Sequence, residues 1–187
     1  THMMNIAKMT TPKGNDFYDI NTCSAVGYPN AMRKVVMTDT EVIVDSEKID
    51  NFDWDLKGLT VDEYTKEAFL EFLNAIFDSM AYDIPKLAEL STSFSMTPEI
   101  VYKLEKVLVP FGKFLQKATF ETIGKMFGIS KYVADSVKDR NVKDFLIEAV
   151  TNVFVGDEPY NPYTPEYLVL WALFNKRVKK ILKPIKG

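Results

Sequence analysis

Three aspartates lie close together around a tryptophan in the first part of the chain. Asp50, Asp53 and Asp55 flank Trp54, and carboxylate oxygens at such short spacing are suitable ligands for Ca²⁺ or Mg²⁺. The segment lacks the glycine and the distal glutamate of a calcium-binding loop. The preferred interpretation is therefore an exposed acidic loop, and we expect neither a metal site nor a cofactor.

The same acidic segment is a candidate surface for contact with another protein. Nine acids and two lysines lie between Asp39 and Glu63, although the net charge of the whole chain is only −3. An acidic surface can occupy the nucleic-acid-binding groove of another protein, whereas a solvated face without a partner would have the same composition. The candidate protein-contact residues are Asp50, Asp53, Trp54 and Asp55.

Residues 119–138 contain a different kind of pattern, in which positions 122–137 read TIGKMFGISKYVADSV. Gly124 is small enough to let a second helix cross closely, and Gly128 suits a turn with a left-handed backbone. Ser130 can cap a following helix. The pattern resembles the helix-turn-helix motif of bacterial and phage DNA-binding proteins.

The resemblance implies a DNA-binding transcriptional regulator whose second helix enters the major groove. Early residues of that helix would read bases, and lysines near the end of the chain would contact phosphates. The candidate DNA-contact residues are Ser130, Lys131, Tyr132, Asp135, Lys179 and Lys180. The segment departs from the motif where Gly124 replaces the usual alanine. Residues 119–150 also carry five basic and five acidic residues, whereas DNA binding depends on neutralising phosphates.

The basic end of the chain has a second interpretation. Six basic residues and no acid follow Glu166. They could contact phosphates or an anionic membrane surface. They could equally complement the negative C-terminal end of their own helix, and we prefer this reading because it requires no partner.

The counts of two residue types exclude several classes of enzyme. His2 is the only histidine and Cys23 the only cysteine. Because Thr1-His2-Met3 reads as the remnant of a removed tag before Met4, we expect a native chain without histidine. No Ser-His or Cys-His catalytic pair, no zinc site of Cys and His, and no intrachain disulfide can then form. We therefore expect a protein that is not an enzyme.

The sequence shows no signal for export or membrane insertion. The start of the chain lacks the apolar core of a signal peptide. The longest apolar run, from Tyr167 to Phe174, is far shorter than the ~20 residues of a membrane span. We expect a cytoplasmic protein.

The elements that would position these residues are mainly helical. Residues 1–32 are rich in Thr, Asn, Gly and Pro without a clear period, which predicts an irregular arm. β-Branched residues on both sides of a short polar break predict a β-hairpin at about 33–45. The fold class is therefore α+β, with one compact, mainly helical domain over 33–187.

Two helices are expected in the middle of the chain. Thr60 and Glu63 have the spacing of a capping box, in which each side chain bonds a free backbone N–H of the other. A helix should run from there to about Ala81, because apolar residues recur every three or four positions. A shorter helix should cover Pro85 to Leu90.

Thr97 and Thr164 each precede a Pro-Glu pair, and the threonine side chain is expected to cap the start of the helix that follows. The first of these helices, which Pro110 should stop or kink, has apolar positions at Val101, Leu104, Val107 and Leu108. The second is the final helix, which is apolar on all sides between Tyr167 and Phe174. Such a helix is central, or it buries its second face on a partner.

These observations favour a binding protein over a catalyst. The first hypothesis is a non-enzymatic adaptor or inhibitor that acts through protein–protein contacts, of the kind that phages and mobile elements use as accessory proteins. The alternative is the helix-turn-helix regulator, for which nucleic acid would be the partner. The oligomeric state stays open at this point.

Overall fold

The computed structural model describes residues 4–25, 27–53, 55–94, 96–155 and 164–182, with the backbone alone for Phe94 and residues 177–182. Within these residues, four β-strands are followed by six α-helices. The strands are β1 (Asn5–Thr10), β2 (Asp16–Asn21), β3 (Ala31–Met37) and β4 (Val42–Lys48). The helices are α1 (Val61–Tyr82), α2 (Ile84–Ser91), α3 (Pro98–Leu115), α4 (Phe120–Phe127), α5 (Val142–Val155) and α6 (Pro165–Leu182). The predicted α+β class is confirmed.

The chain divides into two compact units. Unit 1 contains Thr1–Leu73 and Glu148–Glu158, and unit 2 contains Asn74–Ile147 and Pro159–Gly187. We predicted one domain over residues 33–187, so this division is a feature that the sequence did not indicate. Helices α1 and α5 contribute residues to both units.

The first part of unit 1 is a β-hairpin, where we predicted an irregular arm. Strands β1 and β2 pair antiparallel, with Ile6 opposite Ile20. The turn between them closes through Gly14, whose φ of 82° is accessible to glycine. The prediction of strands only at about 33–45 was wrong, because apolar residues lie on both faces of this hairpin and hide the alternation that marks a strand.

The second hairpin of unit 1 agrees with the prediction. Strands β3 and β4 pair antiparallel with Val35 opposite Val44, and they extend the expected hairpin by a few residues at each end. The Thr38 hydroxyl holds the turn, since it accepts bonds from the N–H groups of Thr40 and Glu41 at 3.3 and 3.0 Å.

A buried asparagine attaches the second hairpin to α1. Asn30 is only 1% exposed and has a positive φ of 49°. Its carbonyl accepts a bond from the N–H of Ile49 at 2.8 Å, and its side-chain oxygen accepts a bond from the buried Thr65 hydroxyl. The rings of Phe69 and Phe154 also pack against each other, with their centres 4.8 Å apart, so polar and apolar contacts together hold the first part of α1 within unit 1.

The core of unit 2 is formed by α2 and α3 and by the segment around α4. Val101 of α3 is buried against a cluster of apolar residues from α2. Phe120, which is fully buried, meets the ring of Phe145 edge-on at 5.3 Å. Within the same unit, an ion pair between Arg140 and Glu166 attaches the start of α6.

Helix α3 does not stop at Pro110, contrary to one of the predicted outcomes. The helix continues to Leu115, because Gly112 and Leu115 are buried beyond the proline. Pro110 cannot donate a bond to the carbonyl of Lys106. The missing bond falls beside an exposed residue, and the helix continues past it.

The three predicted helix starts differ in how they are capped. At α1, the Thr60 N–H donates to Glu63 at 2.9 Å and the Glu63 N–H donates to the Thr60 hydroxyl at 3.2 Å, which confirms the capping box. Thr97 occupies the N-cap position of α3 but makes no side-chain cap bond. The Thr164 hydroxyl is buried without a hydrogen-bond partner among the described residues. The side-chain capping predicted for these two threonines is therefore wrong.

Removing the buried hydroxyl of Thr65 tests the link between Asn30 and α1. We expect Thr65→Val to lower the free energy of unfolding by about 1–3 kcal/mol, because the buried Asn30 oxygen would lose its partner. Chemical denaturation followed by circular dichroism measures the change. Thr65→Ser keeps the hydroxyl and should remain more stable than Thr65→Val. A Val variant as stable as the native protein would contradict the role of this bond.

The capping box of α1 should make stability depend on pH. Removing the Thr60 hydroxyl in Thr60→Ala should cost about 1 kcal/mol at neutral pH. Bonds from the Thr60 N–H and hydroxyl lower the pKa of Glu63 from its ordinary value of 4.5. This contribution is therefore complete above pH 4.5 and is lost as the pH falls through the lowered pKa. Thermal melts of both proteins should converge towards acid pH, and a constant gap would contradict the assignment.

Candidate protein-binding surfaces

The acidic segment between β4 and α1 is exposed, but its carboxylates do not converge. Asp50, Asp53 and Asp55 are all exposed. One of them is engaged locally, since Asp55 accepts the N–H of Lys57 at 2.8 Å and closes a turn. Trp54 lies outside the described residues. In the described part of the chain, no three His, Cys, Asp or Glu side chains are grouped as metal ligands.

The segment that resembles a helix-turn-helix motif forms only the first half of it. The close approach expected at Gly124 is present, because a Cβ there would lie 2.7 Å from a Val133 methyl group. Gly128 has the expected left-handed backbone, with φ 60° and ψ 42°. The expected second helix is absent from the segment. A single 3₁₀ turn covers Ser130–Tyr132, and turns follow as far as Arg140.

Backbone pairing explains why the second helix does not form. The N–H of Phe120 donates to the carbonyl of Arg140 at 3.2 Å, and the N–H of Glu121 donates to the carbonyl of Lys138 at 2.9 Å. The chain must therefore return to the start of α4 within a few residues of Val133. A helix continuing through residue 137 would carry the chain away from these partners.

The candidate DNA-contact residues are consequently not displayed on one helix. Lys131 is exposed, and its ammonium group lies 4.9 Å from the centre of the Tyr132 ring. Ser130 is exposed, and Asp135 forms an ion pair with Lys138 at 3.5 Å. The backbone of Lys179 and Lys180 belongs to α6, but their side chains lie outside the described part.

One lysine of the basic end has a structural partner. The Lys176 ammonium group donates to the carbonyl oxygens of Phe127 and Gly128. It therefore caps the negative end of α4, as lysines commonly do at helix C-termini. A cleft of about 390 Å³ lies beside this cap and includes Tyr132 and the exposed Trp171.

The most distinctive surface of unit 1 is an apolar groove between the two hairpins. This hairpin groove has a volume of about 590 Å³. Its lining residues are Ile6, Tyr18, Ile20, Val42 and Val44. Strand pairing explains the lining, because alternate residues share a face: Ile6 pairs with Ile20, and Val42 and Val44 lie two residues apart on β4.

The geometry of the first hairpin is reinforced at its turn end. Lys8 and Asp16 form an ion pair at 2.8 Å, and the Asp16 carboxylate also accepts a bond from Thr10. The bonds from Lys8 and Thr10 hold the pKa of Asp16 below its usual range. Lys8 is the cross-strand partner of the groove-lining Tyr18, and its ammonium group lies 5.7 Å from the centre of the Tyr18 ring, so this ion pair borders the groove.

The opposite faces of the same hairpins are also apolar and exposed. Met9 and Phe17 are paired on the outer face of β1–β2, and Val36 and Ile43 are paired on the outer face of β3–β4. A two-stranded sheet has two faces, and each hairpin therefore presents apolar side chains to solvent on both. These exposed apolar faces of the two hairpins were not predicted from the sequence, although the alternation of Val42 and Val44 could have indicated the face of β4 that lines the groove.

Comparisons with known proteins leave the surfaces to be interpreted from their own geometry. No protein-family model matches the chain, and neither any curated protein nor any solved structure is significantly similar to it. None of the helices in the described residues combines the length and the apolar character needed to cross a bilayer.

Substituting alanine for Gly124 tests the local structure around the incomplete motif. At an open helix position, Gly→Ala stabilises by up to about 1 kcal/mol. Here the new methyl group would meet Val133 and the backbone of Ser130, 3.2 Å away, so we expect a loss of about 1–3 kcal/mol. Thermal and chemical denaturation measure the change.

A second substitution provides the control for this test. Val133→Ala removes the methyl group that a Cβ at Gly124 would meet. In the Val133→Ala background, Gly124→Ala should therefore cost less than it does in the native protein. If Gly124→Ala stabilised the native protein, the close approach at this position would be refuted.

Proposed function

We propose that this chain is a non-enzymatic binding protein, an adaptor or inhibitor, whose hairpin groove takes an extended apolar segment of a partner protein. The observation that carries the proposal is the groove of about 590 Å³ lined by five apolar or aromatic residues. This volume is within the range of about 300–1,000 Å³ that is usual for binding pockets.

The proposal explains why apolar side chains remain exposed on both hairpins. A two-stranded sheet is only marginally stable in water unless another element covers it. Tyr18 and Val42 line the groove and are more than half exposed in the isolated chain. Burying such surface contributes about 25 cal/mol per Å² of apolar area. Burial of this apolar area would supply the binding free energy for a partner that filled the groove.

The strand edges favour an extended partner segment. Each of the described strands has only one neighbour in its sheet, so its other side carries backbone groups outside the ladder. Such edges commonly accept an additional strand, whose backbone supplies hydrogen bonds and whose alternate side chains enter pockets. Among the five lining residues none is charged. The groove should therefore select apolar side chains at alternate positions.

The acidic segment has a separate part in this proposal. Asp50 and Asp53 belong to the same unit as the groove and are exposed. Exposed charges mainly raise the rate of association with a partner of opposite charge. We therefore assign the segment to steering and the groove to binding energy. We do not propose DNA binding, because no helix presents Lys131 and its neighbours for insertion into a groove of DNA.

Selection of peptides on the full-length protein tests the groove. Random linear peptides displayed on phage should enrich for sequences with alternating apolar residues. Fluorescence anisotropy with the synthesised peptides then gives affinities for two variants of β4. We expect Val42→Asp to weaken binding at least about tenfold, because it places a charge in the apolar groove.

Ile43→Asp is the matched control for Val42→Asp. The two residues are neighbours on one strand and are similarly exposed, but only Val42 lines the groove. Ile43→Asp should therefore change the affinity less than about twofold, in the range of ordinary surface changes. Equal effects of both variants, or no enrichment of peptides, would refute the proposal. Salt-sensitive binding to duplex DNA that Lys131→Glu abolishes would favour the regulator instead.

A further inference from the structure

The charged side chains of the second hairpin are sorted between its two faces. Residues directly opposite each other in an antiparallel ladder share a face, and side chains alternate along each strand. The face that lines the groove through Val42 and Val44 therefore also carries Arg33 and Lys48. Neither β3 nor β4 places an acid on this face. The charged residues of the outer face are Lys34, Asp45 and Glu47.

One cation on the groove side has a donor group without an acceptor. Lys8, which borders the groove on the first hairpin, is paired with Asp16 at 2.8 Å. Lys48 is paired with Asp62 of α1 at 2.8 Å. Arg33 is half-buried, and its Nε is buried without a hydrogen-bond partner among the described residues. Because a buried N–H without an acceptor costs free energy, the isolated chain leaves this guanidinium group to be satisfied.

Arg33 stands between the groove and the contact with α1. Its cross-strand partner is Ser46, which follows Val44 and precedes Lys48 in the row on this face of β4. Diagonal neighbours in a strand pair are about 7–8 Å apart, which is within the reach of a long side chain. The guanidinium of Arg33 can therefore reach the edge of the groove at Val44. The exposed Ser46 hydroxyl is a second donor on the same face.

We propose that Arg33 binds the carboxylate of an aspartate or glutamate in the extended segment that the hairpin groove takes up. This inference rests on the proposed function of the groove. A guanidinium group can donate two parallel N–H bonds to one carboxylate, and a bond from Nε would remove the cost of its burial. Arginine suits this task better than lysine, because its donors have a fixed planar arrangement.

The spacing along β4 defines where the acid stands in the segment. Side chains on one face of an extended chain repeat every two residues, and the position after Val42 and Val44 in this row lies opposite Arg33. A segment that packs apolar side chains against both valines therefore places its acid two residues beyond them. The ladder continues past Arg33 to the pair of Ala31 with Lys48. An added strand can continue there too, which favours a side chain over a terminal carboxylate.

The acidic segment does not conflict with this preference. Asp50 and Asp53 act at a distance on the net charge of the partner and mainly change the association rate. Arg33 contacts a single side chain of the partner. The expected partner is therefore positive overall and carries one acid beside its apolar residues.

Peptide selection on the full-length protein tests the charge preference. The native protein and Arg33→Glu are screened with the same random peptides displayed on phage. The native protein should enrich Asp or Glu two residues from the apolar pair, and Arg33→Glu should enrich Lys or Arg there. Apolar peptides without a charge preference would overturn this inference and leave the proposed function intact. No enrichment at all would overturn both.

Matched synthetic peptides measure the contact itself. A selected peptide is made with an amidated C-terminus, and a second version has the amide in place of the acidic side chain. The native protein should bind the second version roughly tenfold more weakly, as expected for a charge-assisted hydrogen bond. Arg33→Met should bind the two versions within about twofold of each other, because the coupling is removed with either partner.

Lys34→Met is the matched control for Arg33→Met. It removes the same charge from the next residue of β3, but Lys34 lies on the outer face. This variant should keep the preference of roughly tenfold for the acidic peptide. An equal preference in the native protein and Arg33→Met would overturn the inference. If a free C-terminal carboxylate replaced the internal acid without loss of affinity, the choice of a side chain would be overturned.

Thermal melts distinguish this role from a structural one. Methionine keeps most of the apolar stem of arginine and removes the guanidinium group. Arg33→Met should therefore melt at or above the temperature of the native protein, because no bond within the chain is lost and no donor is left buried. A clearly lower midpoint would show that the guanidinium is satisfied within the chain, and it would overturn the inference.

Discussion

In unit 1, the second hairpin is attached to α1 by the buried bond between the Thr65 hydroxyl and the side chain of Asn30, and by the exposed ion pair of Lys48 with Asp62 at 2.8 Å. Asn30 is held in a left-handed conformation that asparagine tolerates better than most residues. The next residue, Ala31, begins β3, and its N–H and carbonyl both bond the buried thiol of Cys23. The loop from Cys23 to Ala31 is therefore fixed at both ends, and it sets the position of the second hairpin relative to α1. It therefore also determines which face of β4 lines the hairpin groove.

The same physical limit leaves apolar faces exposed in both units. A short strand or a single helix buries one apolar face on its own unit, and a second apolar face then remains in water. The hairpins of unit 1 and helix α3 of unit 2 each have such a second face. Scattered exposed apolar residues need no explanation. Rows of them at regular spacing form contiguous apolar patches, which in proteins generally mark sites of interaction.

Local signals in the sequence were sufficient to predict most of the helices. The capping box at Thr60 and Glu63 requires only four residues to be recognised, and it forms as expected. The second hairpin was recognisable because Val35 and Val44 belong to β-branched runs on either side of a polar turn. The first hairpin was missed because Met9 and Phe17 give its outer face the same apolar character as its inner face.

The remaining features depend on contacts that are distant along the chain. Nothing near Pro110 indicates that α3 must continue, since the reason is the burial of Gly112 against residues of α1. The segment after Gly128 has the composition of a helix, but its end must pair with the start of α4. The groove likewise combines residues of two hairpins. Periodicity identifies apolar faces, and it does not determine which face the rest of the protein will cover.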